Sequence, residues 1–164
     1  MSPETFTIFG NTMSMSSKIH FHYLAPPFML LSRKKLKDFL AQLLADEGQA
    51  AEDINVIFCT DEYLLKVNQD YLKHDNYTDV ITFQHSGVGM AVIADIYISV
   101  ERVRENAASY KATFTHELHR VLFHGFLHLC GYKDKAKFAA RLMRDKEDFY
   151  LSRYFVSRGI SIRD

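Results

Sequence analysis

Two histidines four residues apart, His124 and His128, precede a glycine and then Asp134; no other spacing in the chain is as well suited to chemistry. In a helix, side chains four apart differ by about 40° in azimuth and stand one turn apart. Their imidazoles can therefore grip one cation. Gly131 predicts the helix end, and a chain that folds back there can bring in Asp134 as a third ligand. Two histidines, one carboxylate and an open fourth position make a hydrolytic zinc site, with one ion per chain. The competing reading is a pair of hydrogen-bonded histidines on an amphipathic helix; the placed glycine and carboxylate favour the metal.

The surrounding residues refine this picture. Cys130 lies about 240° around from His124, away from the ion, and reads as a small buried apolar residue, as does Cys59 in a strand. Gly125 follows the first histidine where zinc proteases of the HExxH type carry their general base, so a metal-dependent peptidase loses its catalytic residue. Glu117 lies seven residues before His124, about 20° away in azimuth but two turns off. It can orient a ligand or a water, or be an ordinary exposed acid. His20 and His22 read as an exposed strand face, and His116 and His119 as surface groups or supports behind the ligands.

The elements that must hold these residues follow from periodicity and punctuation. Residues 19–24 alternate as a strand, Pro26 and Pro27 break it, and Ser32 is placed to cap a helix with Leu36, Phe39, Leu40, Leu43 and Leu44, ending at Gly48. Residues 54–59 form a second strand. Thr60 caps a helix with Leu64, Val67 and Tyr71 on one side. Strands 78–84 and 90–98 form a hairpin around Ser86–Gly89. Ser99 starts a helix to about Tyr110, Thr115 starts the histidine helix, and a last helix covers about 136–155 with Phe138, Leu142, Phe149 and Tyr150 toward the core. The order predicts one α+β domain, a small mixed sheet of about four strands packed by about five helices. Residues 1–17 read as a disordered leader, 18–158 as the domain and 159–164 as a tail.

The 164 residues are 48% apolar and 24% charged, as in ordinary globular chains, and contain no apolar run of membrane length. Two cysteines exclude a disulfide scaffold and, with no signal-like N-terminus, point to the cytoplasm. Net charge is zero but uneven. Residues 1–82 carry 7 Lys/Arg and 11 Asp/Glu, whereas residues 111–164 carry 11 and 6. A basic C-terminal third can attract a polyanion, although solvated helix faces give the same count.

The run His124-Gly-Phe-Leu-His128-Leu-Cys-Gly-Tyr-Lys-Asp134 resembles the HGxLHLxGYDH signature of the YbeY family. Asn68-Gln-Asp-Tyr71, Asp75 and Thr78-Asp-Val-Ile-Thr-Phe83 resemble its N-x-x-Y-R-x-x-D-x-x-T-[DN]-V-L-S-F segment, and Ala94-Asp-Ile-Tyr-Ile-Ser99 its GDI-x-IS segment. The resemblance spans about residues 19–150. It implies a zinc-dependent, single-strand-specific endoribonuclease of 16S rRNA 3′-end maturation and ribosome quality control. The implied partners are the rRNA precursor and the small ribosomal subunit, with no role for DNA or membrane. The family's three ligands fall on His124, His128 and position 134.

Two departures stand out. The third family histidine is Asp134 here, an anionic ligand that leaves zinc less positive, with Lys133 and Lys135 beside it to compensate. The family arginine after the tyrosine is Leu72, which cannot hold a phosphate. Arg120, one turn before His124, is the candidate replacement, with Glu117 as its alternative partner, and His74 is a weaker substitute. Loss of that arginine keeps open a non-catalytic, zinc-containing assembly factor that binds rRNA through the basic C-terminal region.

Overall fold

Alternation in two parallel strands builds the centre of the molecule. In β4 (Ala51–Cys59), Ile54, Val56 and Phe58 point one way; in β6 (Val92–Ser99), Ala94, Ile96 and Ile98 do the same, and the register pairs them Ile54 with Ala94, Val56 with Ile96 and Phe58 with Ile98. The computed structural model describes residues 18–157, with Thr7–Ile8 and Asn11–Thr12 as backbone alone. Those two dipeptides, β1 and β2, pair antiparallel. The remaining residues of the expected leader, and the expected tail 159–164, lie outside the described residues.

The sheet is four-stranded and mixed, in the order β3-β4-β6-β5, with β3 (Ile19–Tyr23) parallel to β4 and β5 (Val80–Gln84) antiparallel to β6. Five helices pack on it, making the expected single α+β domain: α1 (Arg33–Asp46), α2 (Asp61–Leu72), α3 (Val100–Ser109), α4 (Phe114–Leu129) and α5 (Lys137–Ser157). The main core lies between one sheet face and α1, α4 and α5; α2 covers part of the other face with Leu64 and Val67 against Cys59 and Ile81. No helix among the described residues is long and apolar enough to cross a membrane.

Caps set three helix starts. The hydroxyls of Thr60, Ser99 and Thr113 accept hydrogen bonds from the N–H groups of Tyr63, Arg102 and His116. The histidine helix is thus capped by Thr113, two positions before the expected Thr115. Ser32 stands at the head of α1 with φ 54°, where its hydroxyl makes no capping bond. Two expected core assignments also change. Tyr71 is 72% exposed, and on α5 Phe138, Leu142 and Phe149 face solvent. The buried stripe of α5 is instead Met143, Glu147, Tyr150, Leu151 and Tyr154.

Candidate metal centre

Helix α4 runs through the middle of the core, with Leu118, Val121, Leu122, Phe123, Phe126 and Leu127 buried. Its approach to the sheet depends on Gly125: a Cβ there would meet Ile96 Cγ2 at 3.0 Å and Val80 Cγ2 at 3.5 Å. The glycine at the protease-base position therefore serves close packing. It seats His124 and His128 above the edge strand β5.

The end of α4 closes in a Schellman arrangement. The Tyr132 N–H donates to Leu127 O and the Gly131 N–H to His128 O, with Gly131 at φ 94°. This reversal carries Asp134 back over the histidines. The loop is anchored from behind, because the Tyr132 and Tyr150 hydroxyls and Lys146 Nζ all donate to Glu47 at 2.6–2.9 Å.

His124, His128 and Asp134 each offer one ligand atom, all within 4.8 Å of one another, the one such group among the described residues. Asp134 Oδ2 stands 3.2 Å from His124 Nε2 and 3.5 Å from His128 Nε2. Tetrahedral zinc with bonds of about 2.0–2.1 Å needs ligand atoms about 3.3 Å apart, and both carboxylate–imidazole separations fit this. The far side of each ring supports this. His128 Nδ1 donates to the Tyr132 carbonyl at 2.9 Å, and His124 Nδ1 faces Glu147 Oε2 at 3.2 Å. Protons held on both Nδ1 atoms leave both Nε2 lone pairs toward the common point.

Electrostatics separate the two rings. Burial pulls His124 down, but the Glu147 hydrogen bond and the carboxylates of Glu147, Asp79 and Asp134 outweigh it and hold the imidazole above its ordinary value. His128 lies below its ordinary value, through burial and the neighbouring His124.

Arg120 is paired with acids, the alternative weighed for it from sequence. Its guanidinium donates to both Glu117 oxygens and to Glu147 Oε1 at 2.7 Å, and lies 3.7 Å from Asp79. Held by three acids at 12% side-chain exposure, it is no free phosphate ligand. Glu117 is correspondingly buried, with both carboxylate oxygens accepting from Arg120. The pair clamps Glu147 instead, and Glu147 holds His124. Burial raises the Glu147 carboxyl, but its bonds from His124 and Arg120 prevail and keep it below the usual range.

Lys133 is exposed and lines an open cleft of about 460 Å³ beside His128 and Asp134, with Lys135 next to it. Asn68, Leu72, His74 and Thr82 also border this cleft. Leu72 thus puts an apolar side chain where the resemblance implies a cation. Thr82 Oγ1 is buried there without a hydrogen-bond partner. The remaining histidines stand apart: His20 and His22 lie near Asp53 and Asn55 on the sheet, and His116 stacks on Phe155. His119 corrects its expected position: it is buried, bonded to Thr115 O and stacked on Tyr154. Glu147 is the principal residue missed from sequence; its signal was an acid inside the 143/147/150/154 stripe.

Fold and donor set together define a class: a single-domain α+β protein with a three-donor divalent-metal type of site where one helix ends at an open cleft. Comparison with known proteins narrows this. The family model described as Endoribonuclease YbeY matches residues 29–155. Relatives bearing the name Endoribonuclease YbeY include one from Flavobacterium johnsoniae, 44% identical over 140 residues, spanning 85% of this chain and 99% of the relative. Another, from Flavobacterium psychrophilum, is 49% identical over 122 residues, spanning 74% of this chain and 86% of the relative. A solution structure of a Thermotoga maritima protein superposes with TM-score 0.62 at 27% identity, covering 88% of this chain and 95% of that one. The chain belongs to the YbeY endoribonuclease family.

Proposed function

We propose that this protein is a zinc-dependent endoribonuclease that cuts single-stranded RNA in 16S rRNA 3′-end maturation and ribosome quality control, working in the cytoplasm on the small ribosomal subunit. Family membership makes it a metal-dependent endoribonuclease acting on RNA. The convergence of His124, His128 and Asp134, the last two of which line the cleft, is the observation that carries the finer reading.

In this reading His124 Nε2, His128 Nε2 and an Asp134 oxygen hold one divalent ion. Such an ion, when bound, would supply Lewis-acid chemistry toward water and a phosphoryl oxygen. The Tyr132 carbonyl and Glu147 keep the Nδ1 protons in place, so neither ring has to change tautomer to act as a ligand. Glu117 and Arg120 act through Glu147 as positioning residues. Lys133 and Lys135, exposed on the cleft wall, offset the negative charge that develops on the phosphate. The burial of Gly125 against Ile96 and Val80 leaves no room for a peptidase base.

One observation favours a second reading, a zinc-containing assembly factor that binds rRNA without cutting it. Leu72 lines the cleft and Arg120 is fully engaged by acids, so the cleft lacks an arginine for phosphate. Purified protein incubated with single-stranded RNA of the 16S 3′ end, with and without chelator, separates the two. Cleavage abolished by chelator and restored by zinc supports the enzyme; zinc-loaded protein that binds RNA uncut supports the assembly factor.

A further inference from the structure

From the cleft wall at Lys133 and Lys135 the chain runs within two residues into the first turns of α5, where the surface changes character. Phe138 is 80% exposed there. It lies about 180° around the helix from the buried Glu147, so no rotation of α5 that keeps its core stripe can bury it. Lys137 and Arg141 flank it, both exposed, and Arg144 follows one turn later. Among the described residues, none of Lys133, Lys135, Lys137, Arg141 and Arg144 enters an ion pair. Farther along the same helix the cations are tied down, Lys146 to Glu47 and Arg153 to Asp46. Exposed Asp145 and Asp148 close the patch at that end.

An unpaired cation costs nothing in water, and a phenylalanine 80% exposed beside such cations adds little apolar burial to the fold. A base stacked on a ring, with flanking cations on the adjoining phosphates, is how single strands are held without regard to sequence. We infer that Lys137, Phe138 and Arg141 form a single-strand binding track, with Phe138 stacking an unpaired base of the RNA strand that leaves the cleft past Lys133 and Lys135. This rests on the reading of the site as an endoribonuclease and adds where its substrate runs.

The test uses the full-length protein and fluorescence anisotropy of a labelled single-stranded RNA of about twelve nucleotides, titrated at several salt concentrations. Phe138→Ala is expected to weaken binding about fivefold or more, Phe138→Leu comparably, and Phe138→Tyr little. The Lys137→Ala/Arg141→Ala double variant is expected to reduce the slope of log affinity against log salt by about 1.4, near 0.7 for each lost phosphate contact. Affinities within twofold of wild type and an unchanged slope, in a protein that still cleaves RNA, overturn the track alone. Wild-type protein that neither binds nor cleaves RNA overturns the reading of the site itself.

Discussion

Replacing Glu147 by alanine tests how the metal centre is built. The carboxylate is 3% exposed and accepts from Arg120 Nη1 at 2.7 Å and from His124 Nδ1 at 3.2 Å. Its removal has two separable costs. The first falls on the fold: breaking a buried ion pair costs about 3–5 kcal/mol, reduced here to about 2–3 kcal/mol because Arg120 keeps Glu117 and Asp79. For a chain of this size that lowers Tm by roughly 4–12 °C. The second falls on the metal: with no acceptor for its Nδ1 proton, His124 loses tautomer and ring orientation, and affinity drops about 10–100-fold. Zinc competition against a chromophoric chelator reads the second cost at a temperature where the variant is folded. Glu147→Gln keeps one oxygen for two donors and should fall between wild type and Glu147→Ala. A folded Glu147→Ala protein that holds zinc as tightly as wild type would refute the reasoning.

Gly125→Glu puts a carboxylate against Ile96 and Val80; it should cost about 3 kcal/mol or more by urea unfolding and yield no peptidase activity against casein. Leu72→Arg places a cation on the cleft wall and should raise RNA cleavage about tenfold at low salt, the worth of one charged hydrogen bond; an unchanged rate would show that phosphate does not pass there. Arg120→Ala leaves Glu117 and Glu147 buried without their cation and should lose several kcal/mol of stability, seen as a Tm drop larger than that of Glu147→Ala. Burial raises the Glu47 carboxyl, but bonds from Tyr150, Lys146 and Tyr132 outweigh this and hold it below its ordinary value in the fold. Its contribution is therefore complete above about pH 5 and disappears as pH falls through the lowered value. Glu47→Gln should flatten the acid limb of a urea-stability profile in that range; an identical limb contradicts the assignment.

What could be read from the chain beforehand was whatever local rules govern. Helical spacing sets His124 and His128 on one face, and a glycine at 131 announces the turn, found at φ 94°, that returns Asp134, so the donor set follows from about eleven consecutive residues. The hairpin β5–β6 and the alternating strands are equally local. Groups that meet through tertiary packing were out of reach. Glu147 arrives at His124 from 23 positions away, once α5 has docked on α4. The same docking decides that Arg120 meets acids rather than phosphate, and that Glu117 is buried. Tyr132 reaches Glu47 across 85 positions. Helical periodicity located α5 but not its rotation: two apolar faces compete, and Met143, Tyr150 and Tyr154 took the core while Phe138 and Phe149 kept the solvent.

Crystals of the zinc-loaded protein, with diffraction recorded on both sides of the zinc absorption edge, show whether His124, His128 and Asp134 share one ion. The account predicts one anomalous peak per chain, about 2.0–2.2 Å from His124 Nε2, His128 Nε2 and an Asp134 carboxylate oxygen, with a remaining coordination position open to the cleft. A peak bound by other residues, or none at these three in protein shown to contain zinc, would contradict it.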